Sequence, residues 1–189
     1  NVSFADLTLY RLFPSNIAVA LRDTENGQPG WSFSRSWCEQ VAQKRYSVNR
    51  QGPTLVETKI PLDELFTTGK RGVFCLQADA HGGPDPTKLI LFTDIGLLAH
   101  WRDQELYVFV HDLYSLAPIE SAKITVYSEK NQVLGELRTD AKGLAHVSNM
   151  NTAWGNPKVV VAEHGEDYTF LQLTPSEDNI PQIRSDMPS

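Results

Sequence analysis

Residues 88–113 (KLILFTDIGLLAHWRDQELYVFVHDL) read as apolar strands separated by polar breaks. Residues 89–92 close one strand-rich half of the chain, and residues 95–101 open another. The charged turn Arg102-Asp103-Gln104-Glu105 then folds the chain back into a strand over residues 105–112. Thr93-Asp94 is therefore expected to be a seam between two β domains with almost no linker. Downstream, the pattern predicts seven strands, at 95–101, 105–112, 122–128, 133–139, 144–148, 158–164 and 168–173. Polar connections at 129–132, 140–143 and 165–167 suit hairpins. Lys158-Val159-Val160-Val161-Ala162 is a run of the kind buried on both faces. Seven short strands at this spacing point to an antiparallel sandwich of immunoglobulin-like size.

The first half is less regular. Residues 4–12 alternate, with Leu7, Leu9 and Arg11 on one side and Thr8, Tyr10 and Leu12 on the other, and predict a strand ended by Pro14-Ser15. Residues 16–22 are ambiguous; Ser15 is placed to cap a two-turn helix. Residues 23–30 (DTENGQPG) are turn chemistry. Trp31, Phe33, Arg35 and Trp37 alternate with Ser32, Ser34, Ser36 and Cys38, which predicts a strand, and 41–48 predicts the next. Residues 55–60 alternate cleanly, 61–66 fit one helical turn, and 73–78 fit a strand leading to the loop at His81. The expected fold is all-β: two tandem antiparallel immunoglobulin-like sandwiches, at residues 1–93 and 94–175, with a Pro/Ser/Asp-rich linker or disordered tail at 176–189.

Charge and length refine this picture. The 189 residues are enough for each half to bury its own core. Residues 1–92 carry a net charge of +1 and residues 93–189 a net of −7, together the chain's −6. An acidic second half disfavours a nucleic-acid or anionic-membrane partner. No apolar run approaches the roughly 18 residues of a membrane helix, so no direct membrane insertion is expected. No signal-peptide pattern is seen, and the chain reads as a processed or excised segment. Cys38 and Cys75 are the two cysteines. They admit one disulfide in an oxidising compartment or two buried thiols in a reducing one. No C-x-x-C suggests zinc.

No motif marks catalysis. The histidines (His81, His100, His111, His146 and His164) lack helix-face metal spacing, although neighbouring strands could bring His100 and His111 together. Gly30-Trp31-Ser32-Phe33-Ser34 approaches a nucleophile elbow but lacks the second glycine and the strand–turn–helix setting. Asp63-Glu64 and Glu166-Asp167 are adjacent pairs, unlike glycosidase carboxylates, which face each other across a sugar. No catalytic residue, cofactor or metal is expected.

Three stretches carry a family resemblance. Leu91-Phe92-Thr93-Asp94-Ile95-Gly96-Leu97 resembles the segment in which one macroglobulin-like domain of the bacterial α2-macroglobulins runs into the next. Residues 105–113 resemble that domain's second strand. It ends in a loop that usually carries a G-K-P step, here Leu116-Ala117-Pro118, which keeps only the proline. Arg138-Thr139-Asp140-Ala141-Lys142-Gly143-Leu144-Ala145 resembles the family's T-D-x-x-G-x-A hairpin. Leu9-Tyr10-Arg11-Leu12 and residues 61–76 resemble the preceding domain, so most of residues 4–175 is covered. Members of that family are large multi-domain proteins, many of them periplasmic, that trap proteases after cleavage of a bait region. Many also carry a thioester in a C-x-E-Q motif. Cys38-Glu39-Gln40 has one residue too few for it and lies in the wrong kind of domain.

The resemblance implies a short helix near 15–22 and an oxidising compartment, with Cys38 and Cys75 as a possible disulfide. It implies a periplasmic, cell-envelope location within a parent that is membrane-anchored in some members. It also implies a non-catalytic, structural role in a protease-trapping inhibitor. The implied partners are neighbouring domains of the parent chain and, through the parent, target proteases. The positions it marks are the seam (Phe92, Asp94, Ile95 and Gly96) and the turn residues Asp140 and Gly143. The competing expectation is an adhesin or carbohydrate-binding sandwich, which requires exposed aromatics such as Trp31, Trp37 or Trp101.

Overall fold

The computed structural model describes residues 4–23, 29–48, 57–66, 69–79, 85–102 and 104–173. The chain divides into two compact units, Asn1–Thr93 and Asp94–Ser189. Both are built from antiparallel sheets.

In the first unit, β1 (Phe4–Leu12) lies between β4 (Cys38–Ser47) and β5 (Gly72–Asp79), and β6 (Thr87–Phe92) pairs with the far side of β5. Every pairing is antiparallel. Central strands are covered on both faces, and the burial of β1 shows it. Leu7 and Leu9 join Leu65 and Phe74 in one cluster, against which Ile60, Phe66, Leu76, Ile90 and Phe92 pack. Thr8, Tyr10 and Leu12, which point the other way, are buried as well. Tyr10 meets the ring of Phe33 at 5.2 Å, and Arg35 donates to the Gln77 side-chain amide oxygen Oε1 at 3.1 Å. The segment containing Phe33 and Arg35 therefore covers that face.

Between β1 and β4 run a 3-10 turn (Pro14–Asn16), the one-turn helix α1 (Ile17–Ala20) and the two-stranded ribbon β2 (Leu21–Asp23) and β3 (Pro29–Trp31). The strand expected from Trp31 to Cys38 is not formed. Residues 32–34 are irregular and Arg35–Trp37 is a 3-10 turn. The Trp37 carbonyl instead accepts from the Phe13 N–H at 3.0 Å and the Asn16 amide at 3.2 Å. The alternating side chains serve a covering segment, not a ladder. Of the expected strand at 55–60, residues 55 and 56 lie outside the described residues and 57–60 have no strand pairing.

The described residues of the second unit form a seven-stranded sandwich. Strands β7 (Ile95–Arg102), β8 (Glu105–Asp112) and β11 (Leu144–Val147) form one sheet in the order β11-β8-β7. Strands β9 (Lys123–Ser128), β10 (Val133–Arg138), β12 (Pro157–His164) and β13 (Asp167–Gln172) form the other in the order β10-β9-β12-β13. Alternate residues of both sheets meet in one core: Leu106, Val108 and Val110 from β8, Ile124 and Val126 from β9, and Val160 and Ala162 from β12, all fully buried. Each of the Leu, Ile and Val side chains among them contributes about 1.5–3 kcal/mol by leaving water. Val159 and Val161 are also fully buried, as a central strand with both faces covered requires. Among the described residues no helix is long and apolar enough to cross a membrane.

Candidate functional site

The seam residues are built into the units on either side of it. Phe92 ends β6, where its ring meets Phe66 at 4.7 Å and lies 4.2 Å from the Arg71 guanidinium. Two residues later the chain is inside the second unit. The Asp94 N–H donates to the Asp167 carboxylate at 2.8 Å, and the Asp94 carbonyl accepts from the Leu113 N–H at 2.8 Å. Ile95 is 4% exposed and belongs to the second core. Gly96 pairs with His111 across β7 and β8.

The Thr139-Asp140-Ala141-Lys142-Gly143 turn is a hydrogen-bonded knot in which Thr139, Asp140 and Gly143 each have a role. The Thr139 hydroxyl donates to the Ile119 carbonyl at 2.6 Å and accepts from the Ala122 N–H at 2.9 Å. It thereby holds the entry to β9 against the end of β10. One Asp140 carboxylate oxygen accepts from the Lys142 and Leu144 N–H groups at 2.8 and 2.9 Å. Gly143 has φ +72°, and its carbonyl accepts from the Val110 N–H at 2.9 Å. A Cβ on Gly143 would stand 2.4 Å from the Val110 carbonyl oxygen, so the turn needs glycine both for its backbone angle and for this approach.

The residues weighed for chemistry are dispersed. Across β11, β8 and β7 the register aligns His146, Tyr107 and His100, whereas His111 sits opposite Gly96, so His100 and His111 are not partners. His146 bonds Glu105 and stacks on Tyr107 at 4.2 Å. No group of three potential metal ligands exists among the described residues, and His81 lies outside them. Glu64 pairs with Lys44 and Tyr46, and the Lys44 ammonium holds its carboxyl below the usual range. Ser32 lies in an irregular segment, its N–H on the Ala20 carbonyl at 2.7 Å. Cys38-Glu39-Gln40 opens strand β4. Trp31, Trp37 and Trp101 are half-buried, and Trp101 packs against the second core. Trp154, which alternation did not single out, is 62% exposed.

Cys38 and Cys75 sit on the two strands that flank β1, opposite Leu12 and Tyr10 respectively. Both are free thiols, Cys38 half-buried and Cys75 buried. Their mutual influence lowers the pKa of the Cys38 thiol from its ordinary value and, together with burial, raises that of Cys75.

The second unit is thus an antiparallel sandwich of the macroglobulin-like class, with no catalytic constellation among the described residues. Residues 92–184 match the family described as "Bacterial alpha-2-macroglobulin MG3 domain". Over that region, about half of its length, the chain is similar to the bacterial α2-macroglobulin family. It is 24% identical over 180 residues to the alpha-2-macroglobulin of Escherichia coli strain K12, a match covering 92% of this chain and 11% of that protein. The chain therefore spans about a tenth of that relative. Among solved structures, native E. coli alpha-2-macroglobulin spanning domains NIE-MG1 superposes with a TM-score of 0.70 at 22% identity, over 92% of this chain and 85% of that one. Salmonella alpha-2-macroglobulin reacted with methylamine gives a TM-score of 0.65 at 22% identity, over 92% of this chain and 10% of that one.

Proposed function

We propose that this chain is a structural, non-catalytic segment of a larger bacterial α2-macroglobulin-like inhibitor that traps proteases in the cell envelope. It would supply two consecutive domains, residues 1–93 and 94–175. The observation that carries the reading is the continuous match to the E. coli protein across both units, at 92% of this chain and only 11% of the relative. In this reading Phe92, Asp94, Ile95 and Gly96 act as the seam. Phe92 is committed to one unit's packing and Ile95 to the other's core, with two residues between them. A connection that short transmits movement of one domain to the next instead of absorbing it. Neighbouring domains of the parent are the direct partners, and proteases are reached through the parent in the periplasm.

The test uses the complete gene product containing this chain. After incubation with a broad-specificity protease, hydrolysis of a protein substrate and of a small peptide is measured. A trapped protease keeps its peptide activity and loses its protein activity; equal retention of both would end the trapping proposal. Four Gly-Ser residues inserted between Thr93 and Asp94 are expected to weaken trapping while secondary structure, read by circular dichroism, is kept. Unchanged trapping would remove the mechanical role of the seam alone.

A further inference from the structure

We propose that the outer face of the β11-β8-β7 sheet is a docking surface for another domain of the same parent polypeptide, one that lies outside residues 1–189. This rests on the reading of the chain as a segment of a larger protein, and it names where that protein presses on it. The cross-strand registers assemble the face from two adjacent rows. Leu144, Phe109 and Leu98 form one row, and His146, Tyr107 and His100 form the next. Their strand neighbours Ala145, Val108 and Ala99 point into the second core, so both rows point out of it. Phe109 is half-buried and the other five are exposed.

The chemistry of the face is that of a protein contact. An outward sheet face that meets water is ordinarily polar. Neither row contains an Asp, Glu, Lys or Arg, although residues 93–189 carry a net charge of −7. The opposite sheet keeps its charges, with Lys123 bridging Glu136 and Glu163. Centres of protein interfaces are depleted in charge and enriched in aromatic residues. A sugar would instead need open ring faces. Here Tyr107 stacks on His146 at 4.2 Å and Phe109 on His111 at 5.3 Å, so each of these rings spends a face on its neighbour.

Size decides the occupant. Three strands about 4.8 Å apart, the two longest of eight residues at about 3.4 Å each, outline roughly 400 Å². Covering that face with a matching surface buries roughly 800 Å² in total. This falls within the roughly 600–1,500 Å² found between domains of one chain. It falls short of the roughly 1,200–2,000 Å² of stable complexes between separate molecules, a second copy included. A match covering 11% of the E. coli relative leaves about nine-tenths of that protein to supply such a domain.

The experiment replaces Tyr107 by the photo-reactive p-benzoylphenylalanine in the complete gene product, irradiates it, and identifies the linked peptide by digestion and mass spectrometry. Leu98 is replaced in the same way in a second variant, in case the larger ring at position 107 blocks the contact. The expected link joins the face to a peptide of the same polypeptide outside residues 1–189. A link to a second copy, to another protein or to residues 1–189, or no link from either position, would overturn the proposal. Leu98→Glu should leave the thermal midpoint of the 189-residue chain unchanged and lower that of the complete gene product; the same response in both would also overturn it. Trapping is read separately. A gene product that gives the link but traps no protease loses the trapping role alone, and one that traps without the link loses the docking surface alone.

Discussion

The imidazole of His111 occupies the space that a side chain on Gly96 would need. A Cβ built on Gly96 would stand 2.3 Å from Nε2 and 2.5 Å from Cε1 of His111, far inside contact distance. The two residues face each other across β7 and β8, and Gly96 lies two positions after Asp94, where the second unit begins. The same ring stacks on Phe109 at 5.3 Å. Gly96 therefore lets an aromatic ring lie flat on the sheet close to where the second unit begins.

Replacing Gly96 by alanine should destabilise the chain by about 1–3 kcal/mol, the usual range for overpacking, because the ring must leave its site. Chemical denaturation of the full chain measures this. In the His111→Ala background the cost of Gly96→Ala should fall, giving a coupling energy of about 0.5–3 kcal/mol. An equal cost in both backgrounds would show that the ring is not what excludes a side chain.

Leu116, which opens the Leu116-Ala117-Pro118 step, adopts φ +59°. Its N–H is held by the Asp112 carbonyl at 2.9 Å, while its side chain is 69% exposed and adds little packing. A left-handed L-residue costs about 1–2 kcal/mol, and glycine's extra freedom in the unfolded chain offsets about 0.4–1 kcal/mol of that. Leu116→Gly should therefore raise stability by roughly 0.5–1 kcal/mol, and Leu116→Val should lower it. Denaturation midpoints decide, and a Leu116→Gly variant less stable than the parent chain would refute the strain argument.

Asp112 caps the same loop. Its Oδ1 accepts from the Ser115 N–H at 2.7 Å, the Ser115 hydroxyl at 2.8 Å and the Tyr114 N–H at 3.0 Å. These bonds, the Ser115 N–H foremost, hold its carboxyl below the usual range. A depressed folded-state pKa means that the contribution is fully present above the unfolded value, about 3.9 for Asp. It is lost as pH falls through the lower folded value. The stability difference between the parent chain and Asp112→Asn should be flat above about pH 5 and shrink below about pH 4. Urea denaturation of both proteins across that range checks it; a difference that widens in acid would reverse the assignment.

How far the sequence discloses the structure depends on how each strand is covered. The strands of the second unit were legible because a sandwich buries one face of most of them. Alternation in residues 105–112 thus maps onto Leu106, Val108 and Val110 inside and Tyr107 outside. The Val159-Val160-Val161 run marked the exception correctly. In β1, by contrast, Thr8 and Tyr10 are buried beside Leu7 and Leu9, so alternation there carries no information about which side is solvent. Residues 31–38 misled for a related reason. Their period-two pattern comes from packing over Tyr10 and Gln77, a tertiary demand that ladder and covering segment share. The two cysteines were legible, but their placement on the strands either side of β1 depends on a strand order that spacing does not encode.

Two glycines with similar backbone angles should respond very differently to substitution. Gly143 has φ +72° and Gly165 has φ +61°, so alanine at either pays the left-handed cost, about 1–2 kcal/mol. A Cβ at Gly165 would meet nothing within 4 Å. At Gly143 it would stand 2.4 Å from the Val110 carbonyl oxygen and 3.0 Å from the Pro118 side chain. That carbonyl cannot withdraw cheaply, because it accepts the Ile119 N–H at 3.0 Å and belongs to the central strand of its sheet. Gly165→Ala should cost about 1 kcal/mol. Gly143→Ala should cost at least about 2 kcal/mol more, in the range of strong overpacking, and should lower the thermal midpoint well below that of Gly165→Ala. Equal midpoints for the two variants would mean that the 139–143 turn yields freely. The knot formed by Thr139, Asp140 and Gly143 would then not be what fixes β11 against β8.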